Sequence, residues 1–476
     1  MKTFTVPFTA AAPFTRRTFI GAGLATAAAL TTGRAQSPPD AAANRGGFAE
    51  PAQSLPLNDD ADVIICGGGP AGVTAAIAAA RAGARVRLFE VHGCLGGVWT
   101  GGLLGYLMDF DKPGFNRELV RKLDERDARR GTGKSNLNYE PEEMKMLLED
   151  LCVEAGVKFQ LHTRLAAAYR DGDGKRLATV ITESKSGRQA WRARIFIDAS
   201  GDGDLGALAG CQWEIGQAAD CPCQPMSMDA LLVVKDAAAL ENVIHRHSGE
   251  KPDHRRNFLA EIQRAGLKPS YGMPTLFQIR DNLLLVMLNH EYGIKPFDAA
   301  RVTEATVRAR GEIHKIVRGL RKLGGAWEGV QIAATPEQIG IRDGRRIRGR
   351  YIVTKDDLIA GTRHDDGVMS TKASVDIHST KGGETPAFDS VGVKTQLYDI
   401  PLRALIARDV DGLMMAGRCI SGDFIAHASY RLTGNAVAMG ESAGAIAAVA
   451  AQTKRLPHDV PWSEGAAALR KMGIRE

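Results

Sequence analysis

Asp62 to Glu90 reads DVIICGGGPAGVTAAIAAARAGARVRLFE, and this stretch decides the fold. Its first apolar run, 63–66, is rich in β-branched residues, which predicts a strand buried on both faces. A Gly-x-Gly-x-x-Gly fingerprint follows at once. Apolar residues then recur at helical spacing over 73–82, and 86–89 predict a second strand that ends on the acid. This order of strand, glycine turn, helix and strand predicts a unit that holds a dinucleotide.

Each part of the fingerprint has a predicted role at the phosphates. Gly67 permits the tight turn, Gly69 lets the backbone approach a pyrophosphate, and Gly72 allows the helix to pack closely on the strand. The helix N-terminus at Pro70-Ala71 offers free N–H groups and the positive end of a dipole. Glu90, 18 residues beyond Gly72, is placed to accept hydrogen bonds from a ribose diol. The sequence therefore predicts that the chain binds an adenine dinucleotide.

Three later segments indicate which dinucleotide is bound. Residues 91–102 resemble the start of two-dinucleotide-binding-domain flavoproteins, in which paired glycines pass beside the FAD phosphates. Residues 193–203 resemble the later FAD-domain strand and its Ala-Thr-Gly-type turn, with Ser in place of Thr. Residues 411–418 and the helix predicted over 434–450 resemble the C-terminal FAD segment, whose helix N-terminus points at the pyrimidine end of the isoalloxazine. The FAD-contacting residues that this resemblance implies are Gly96, Gly97, Thr100, Ser200, Gly201, Asp202, Gly417, Arg418, Gly434 and Asn435.

One of these residues departs from the pattern. Many of these flavoproteins place an acid after the Ala-Gly of the last segment, where it contacts the ribityl chain or the phosphates of FAD. This chain has Arg418 at that position, so it has no acid to make that contact.

The chain more closely resembles the bacterial FAD-dependent oxidoreductase family, which is related to the fumarate reductase and succinate dehydrogenase flavoproteins. An Arg-rich segment at 340–357, an Asp-x-His segment at 375–378 and a final segment at 416–444 carry this likeness. The resemblance covers roughly 62–450. It implies an α/β fold with an FAD-binding Rossmann-like parallel sheet. Short strands alternating with turns over 164–192 predict a β-meander, and the loss of the βα rhythm over about 217–395 predicts an inserted mixed α+β substrate domain.

Changes in pattern along the chain predict its organisation. The predicted segments are a signal peptide (1–35), a flexible tether (36–60), two parts of an FAD-binding domain (61–216 and 396–455), a substrate-binding cap (217–395) and a C-terminal tail (456–476).

The N-terminus predicts export. Arg16-Arg17 precede a modest apolar run, 19–30, and small residues flank a cleavage position after Ala35. This resembles a twin-arginine signal, and the alternative is an ordinary basic N-terminus. The run is too short for a stable membrane span. We expect the twin-arginine machinery to carry a folded, flavin-loaded protein to the periplasm or outside the cell.

Composition narrows the class of protein. The 476 residues carry a formal charge of +6 and no basic block with interleaved aromatics, so no nucleic-acid partner is predicted. The seven cysteines lack the spacing of a zinc or iron–sulfur site, and no metal is predicted. Most cysteines are expected to be small buried residues. Cys221 and Cys223 are alternatively a redox pair or a disulfide. His364-Asp365-Asp366 resembles a metal cluster by composition, but a solvated loop is expected.

A flavin would perform the redox step, since no second Gly-rich unit is visible and a nicotinamide domain is therefore not expected. Electrons should come from a small-molecule substrate and leave to oxygen, a quinone or a redox protein. The leading hypothesis is an enzyme that oxidises an alcohol or sugar-like hydroxyl by hydride transfer to FAD. Two alternatives remain: a fumarate-reductase-like enzyme that reduces an activated C=C bond, and a non-catalytic FAD-bearing electron carrier.

The predicted catalytic residues are His427, Arg431 and His378. His427 could take a proton during hydride transfer or be a structural histidine, and Arg431 could hold an anionic oxygen or stabilise reduced flavin. His378 alternates with Asp376 on a predicted strand, so both should face one side. Residues 342–346 contain three arginines that we expect on a salt-bridged strand face, although one or two could reach into the site.

Overall fold

The computed structural model describes Gly47 and residues 50–130, 137–217, 223–245, 253–380 and 388–473. The predicted signal peptide and Cys221 lie outside these residues. In chain order the strands are β1 (Leu57–Asn58), β2 (Val63–Cys66), β3 (Val86–Phe89), β4 (Tyr106–Leu107), β5 (Arg129–Arg130), β6 (Leu137–Tyr139), β7 (Lys158–Gln160), β8 (Arg164–Arg170), β9 (Leu177–Ser184), β10 (Gly187–Arg192), β11 (Ile195–Asp198), β12 (Trp213–Glu214), β13 (Asp229–Val233), β14 (Thr275–Arg280), β15 (Leu283–Met287), β16 (Gln331–Ala334), β17 (Arg346–Ile347), β18 (Gly367–Thr371), β19 (Ile377–His378), β20 (Phe388–Asp389), β21 (Tyr398–Pro401) and β22 (Leu413–Met415). The α-helices are α1 (Pro70–Arg81), α2 (Phe115–Glu125), α3 (Pro141–Glu154), α4 (Asp204–Leu208), α5 (His254–Arg264), α6 (Ala299–Leu323), α7 (Lys355–Ala360), α8 (Phe424–Tyr430), α9 (Thr433–Thr453) and α10 (Trp462–Lys471).

A parallel sheet in the order β7-β3-β2-β11-β22 forms the centre of the fold. The apolar side chains of β2 and β11 are fully buried, as expected for parallel strands covered on both faces. The register aligns Cys66, Asp198 and Met415, so the turns after three strands leave the same edge of the sheet. In chain order this arrangement is 3-2-1-4-5, as in dinucleotide-binding sheets. The predicted Rossmann-like sheet is confirmed.

The predicted β-meander is also present, as antiparallel strands β8, β9 and β10. β1 adds to it in parallel, with Leu57 opposite Ala190. Asp60 accepts hydrogen bonds from Arg87 and Lys158 of the central sheet. The end of the stretch predicted as a tether is therefore part of the fold, because its backbone completes a sheet edge.

The N-termini of α1 and α9 lie at the same edge of the central sheet because glycines let the two helices pack closely. A Cβ at Gly440 would lie 2.2 Å from the carbonyl oxygen of Ala71, and a Cβ at Gly444 would lie 2.2 Å from that of Ala75. Because the residue numbers of the contacting pairs increase together along α1 and α9, the two helices run in the same direction. The positive dipole ends of both helices therefore point toward the same edge of the sheet, and α9 begins about two turns before the start of α1. Among the described residues, no helix is both long and apolar enough to cross a membrane.

A second, antiparallel sheet lies in the predicted cap, in the order β14-β15-β13-β16. Ala230 and Leu232 pack into an apolar core with residues of α5 and α6. Leu231 points to the opposite face, where it packs with Phe277 and with Leu103. Since side chains alternate along a strand, Asp229 shares the face of Leu231. A carboxylate therefore lies on the face of the cap sheet that meets the first part of the chain.

Two segments differ from their predicted organisation. Ile347, Val353 and Val368 already belong to the apolar core around the parallel sheet, so the chain returns to this core before the predicted position near Tyr398. Residues predicted as a C-terminal tail form α10, whose Leu469 packs on α9. Long-range packing determines the early return to the core, whereas α10 carries local helix signals, with Glu464 in its first turn and Arg470 and Lys471 in its last.

Candidate active site

In the glycine turn after β2, packing leaves no room for a side chain at two of the glycines, whereas the third glycine has free space beside it. Gly67 has a φ of +103°, and a Cβ there would lie 2.5 Å from the carbonyl oxygen of Ala199. A Cβ at Gly72 would lie 1.8 Å from the carbonyl oxygen of Gly67. A Cβ at Gly69 would meet no atom within 4 Å. The backbone at Gly69 is therefore open to a ligand at the start of α1, as the fingerprint predicts.

Glu90 lies beside this turn and is buried. Its Oε2 accepts a hydrogen bond of 2.6 Å from the N–H of Gly68, and its Oε1 accepts one of 2.8 Å from the N–H of His92. The carboxylate thus orders the turn through backbone donors. Each oxygen retains a lone pair for the predicted ribose contact.

The paired glycines Gly96-Gly97 approach the same turn. The N–H of Gly96 donates to the carbonyl of Gly68, and a Cβ at Gly97 would lie 3.0 Å from the Cα of Gly69. Thr100 packs against Gly96, and its buried hydroxyl donates to the carbonyl of Leu95. Its predicted FAD contact remains a prediction.

Arg418 connects two of the segments that are predicted to contact the cofactor. Its Nε donates to the carbonyl of Gly201 at 2.9 Å, and its Nη2 pairs with Asp202 at 2.7 Å. The Ser200 hydroxyl donates to the buried Asp198 carboxylate at 2.7 Å, which shapes the same turn. The residue that departs from the family pattern therefore joins the turn after β11 to the turn after β22.

The N-terminus of α9 carries a buried amide without partners. Gly417 has a φ of +83°, and a Cβ there would lie 3.0 Å from the Cβ of Ala71. A Cβ at Gly434 would lie 2.1 Å from the carbonyl oxygen of Asp109. The next residue, Asn435, is fully buried, and neither its Oδ1 nor its Nδ2 has a hydrogen-bond partner in the described part of the chain. Burying an amide unpaired is costly, which indicates that a ligand satisfies it.

His378, Asp376 and Arg431 form a connected group just before α9. His378 Nε2 lies 3.4 Å from Asp376 Oδ2, so the two residues face one side as predicted. Arg431 Nη2 donates to the Asp376 carbonyl at 2.6 Å and lies 3.2 Å from its carboxylate. Burial alone would raise the pKa of Asp376, but the hydrogen bond from His378 and the charge of Arg431 lower it. Asp376 is therefore a carboxylate at neutral pH.

His378 has one ring nitrogen engaged and one free. Its Nδ1 is buried without a hydrogen-bond partner among the described residues. Burial, together with the charge of Arg342, lowers the pKa of His378 to about 4 despite the opposing effect of Asp376. The imidazole is therefore neutral at pH 7. When Nε2 carries the hydrogen toward Asp376, Nδ1 is a proton acceptor.

His427 has a more enclosed position. It lies on α8 with no exposed surface, and its Nδ1 is 3.3 Å from Asp343 Oδ1, which is also fully buried. Burial lowers the pKa of His427 to about 4, although Asp343 acts in the opposite direction. His427 and Asp343 form a buried pair in the protein interior. The predicted catalytic role of His427 stays a prediction.

Gln224, which the sequence analysis missed, joins the two histidine groups. Its backbone N–H donates to Asp343 Oδ2 at 2.6 Å, and its side-chain amide donates to Asp343 Oδ1 at 3.2 Å. Its Oε1 accepts from the His378 backbone N–H at 3.0 Å and from Arg431 at 3.2 Å. Cys223, the preceding residue, is buried and disulfide-bonded. A lone glutamine carries no motif, so only the tertiary contacts reveal this role.

The cap adds aromatic and imidazole side chains to the group. The rings of Tyr271 and His290 lie 4.3 Å apart, and those of His290 and His378 lie 5.1 Å apart. His290 Nδ1 is 3.0 Å from the Tyr292 hydroxyl, whereas its Nε2 is buried without a partner in the described residues. The sequence analysis missed these residues. Their signal is a polar segment, 289–292, that directly follows the apolar strand β15.

The three arginines do not share a strand face, so that part of the prediction is wrong, whereas the predicted ion pairs are present for Arg345 and Arg346. Arg345 pairs with Asp204. Arg346 is buried in β17 and donates to the carbonyls of Gly422 and Gly216. Arg342 is turned toward the cap instead. The alternation of a strand does not apply, since only Arg346 of the three lies in one.

The predicted solvated loop at 364–366 has a structural role. Asp366 Oδ2 accepts from Arg403 Nε at 2.9 Å, which joins the loop to the segment after β21. Within the ranges that the structure describes, no group of His, Cys, Asp or Glu side chains could hold a metal ion.

Comparisons with known proteins bear on the family and the cofactor. Residues 62–472 match the protein family described as FAD dependent oxidoreductase. No curated protein matches the sequence. Similar solved structures include a geranylgeranyl bacteriochlorophyll reductase-like protein from Thermoplasma acidophilum, with 13% identity, 88% of this chain and 83% of that chain covered, and a TM-score of 0.45. The p-nitrophenol 4-monooxygenase PnpA from Pseudomonas putida DLL-E4 has 10% identity, 89% and 91% coverage, and a TM-score of 0.44. The myxobacterial chondrochloren halogenase CndH has 12% identity, 88% and 79% coverage, and a TM-score of 0.44.

These TM-scores lie below 0.5, so the fold assignment rests on the sheet order and the family match. The cofactor is FAD, and the site fits it. The open backbone at Gly69 and the N-terminus of α1 suit a pyrophosphate, and Glu90 lies beside them. The unpaired amide of Asn435 at the start of α9 suits a heteroaromatic ring that both donates and accepts hydrogen bonds.

Proposed function

Since the chain belongs to the family of FAD-dependent oxidoreductases, we propose that it is an exported dehydrogenase that oxidises a hydroxyl group of a small substrate. One observation carries this proposal. His378 presents a free, neutral Nδ1 while its Nε2 faces the Asp376 carboxylate. This is the arrangement of an oriented general base.

Bound FAD supplies the oxidant, since its isoalloxazine accepts two electrons as a hydride. His378 Nδ1 accepts the proton of the substrate hydroxyl, and the carbinol C–H bond breaks with its electron pair, which leaves a carbonyl group. Asp376 stabilises the imidazolium that forms at His378. Arg431 holds Asp376 in place through its backbone and side-chain contacts. The electrons then pass to an external acceptor such as a quinone or a redox protein.

The test is anaerobic flavin reduction of the holoenzyme by a panel of alcohols, hydroxy acids, sugars and amines. We expect bleaching by one hydroxyl class. Asp376→Asn should slow flavin reduction by that substrate at least about tenfold, because a neutral amide stabilises the imidazolium of His378 less well than a carboxylate does. Bleaching by amines alone would contradict the proposal. Rapid reoxidation of chemically reduced flavin by fumarate-type acceptors would favour a C=C reductase, and inertness to the whole panel would favour an electron carrier.

Export is the second part of the proposal and rests on the paired arginines of the N-terminus. Replacing Arg16-Arg17 by two lysines should retain the protein in the cytoplasm, because the twin-arginine pathway recognises the pair. Cell fractionation of the wild type and the variant measures this. The wild-type protein should appear outside the cytoplasm with its flavin bound. Equal distribution of the two proteins would contradict export by this route.

A further inference from the structure

Arg342 presents one edge of its guanidinium group without a partner. Its Nη1 donates to the carbonyl of Pro225 and to the hydroxyl of Ser227, each at 2.7 Å. Its Nε and Nη2 donate no hydrogen bond to the described residues, and neither is among the fully enclosed polar atoms. The Nε–Nη2 edge therefore lacks a protein partner and is not completely enclosed. Two parallel N–H groups on such an edge match the two oxygens of a carboxylate.

The charge of Arg342 also lacks a close counter-ion in the described part of the chain. Asp376, the nearest engaged carboxylate of the group, already pairs with Arg431 and His378. Burial raises the pKa of Asp229 to about 7, so this residue supplies only part of a negative charge at neutral pH. Burial and repulsion by Arg431 lower the pKa of Arg342 despite both acids. A partly buried cation is costly unless an anion joins it.

His290 has a second polar atom without a partner. His290 Nε2 is buried without a partner, and the His290 ring contacts those of Tyr271 and His378. The charge of Arg342 contributes to lowering the pKa values of both histidines. Arg342, His290 and the proposed base His378 therefore share one electrostatic environment, formed where the cap meets the segment before α9.

We propose that Arg342 binds a carboxylate of the substrate, with His290 Nε2 as an additional hydrogen-bonding group, and that the substrate is a hydroxy acid. This inference rests on the proposed function. The step balances as above: the hydroxyl proton goes to His378, the carbinol hydrogen would go to FAD with its two electrons as a hydride, and the product is an oxo acid. The bound carboxylate neutralises Arg342, which raises the pKa of His378 toward a value better suited to a base.

The first test uses malonate, a dicarboxylate without a hydroxyl group, titrated into the oxidised holoenzyme and followed by calorimetry and by the flavin spectrum. Arg342→Gln should lower the affinity for malonate at least about 30-fold, because the substitution removes the charged partner of the bound carboxylate from a partly buried pair. Arg342→Lys should recover part of this loss, and it also serves if Arg342→Gln folds poorly. Arg348→Gln should have no effect, since Arg348 pairs with Glu214 at the surface.

The second test compares anaerobic flavin reduction by lactate and malate with reduction by their methyl esters and by 1,2-propanediol. Acids should be preferred in the wild type, and the preference should disappear in Arg342→Gln. Equal reduction by acids and neutral alcohols would overturn this inference and leave the proposed dehydrogenase intact. Malonate binding without reduction by any hydroxyl compound would instead overturn the dehydrogenase. Inorganic phosphate binding as tightly as malonate would overturn the carboxylate assignment.

Discussion

His378→Asn is expected to slow anaerobic flavin reduction about 10²–10⁴-fold while FAD remains bound, because it removes the proton acceptor and no contact of the glycine turn. In the wild type, the reduction rate at limiting substrate concentration should fall as the pH drops through about 4, the lowered pKa of His378 in the substrate-free enzyme. Below that pH the imidazole carries a proton and cannot accept another. Stopped-flow reduction across pH measures both effects.

Two other histidines serve as controls for this result. His458→Asn should leave reduction unchanged, since His458 lies beside Asp411 and Asp459 rather than in the site. His427→Asn should lower thermal stability, because it disturbs the buried pair with Asp343. If reduction collapses in the His427 variant and survives in the His378 variant, His427 is the base and the assignment made here is wrong.

Gly72→Ala is expected to lower the free energy of unfolding by about 3 kcal/mol or more, with or without FAD. The added Cβ would lie 1.8 Å from the carbonyl oxygen of Gly67, and neither α1 nor the turn can move without disturbing the sheet. Denaturant unfolding of the apoprotein and the melting temperature of the holoenzyme measure the loss. A variant as stable as the wild type would show that this close packing is not required.

Gly69→Ala is the control for Gly72→Ala, and we expect it to change the affinity for FAD without changing the stability of the apoprotein. The residue has a φ of −71°, which any residue adopts, and an added Cβ meets nothing within 4 Å. The stability of the apoprotein should therefore change by less than about 0.5 kcal/mol. FAD affinity should fall about tenfold or more, because the methyl group would occupy the path of the pyrophosphate. Unchanged affinity would contradict a close approach of FAD at Gly69.

Much of the fold could be predicted because its signals are local. The apolar run, the glycines and the helical spacing over 62–90 indicate a strand, a turn and a helix. The structure has all three, and the helix begins three residues before the predicted 73. The meander over 164–192 and the helix from Thr433 are confirmed on the same grounds. The end of the predicted tether could not be predicted, since it is ordered by packing on a distant element. The helix at 462–471 was missed, although Glu464 in its first turn and Arg470 and Lys471 in its last turn are local helix signals.

The sequence by itself determined a parallel dinucleotide-binding sheet and, through its resemblance and the family match, an FAD enzyme. Those features depend on short local patterns. Glycines mark where the backbone must turn, and the spacing of apolar residues indicates strands and helices. Only the tertiary structure decided which polar side chains meet. Gln224, His290 and Arg342 are far apart in the chain, and no spacing relates them to His378. They lie together because the cap sheet folds against the segments that carry His378 and Arg431, and the contacts made there determine which of their nitrogen atoms are left without a protein partner.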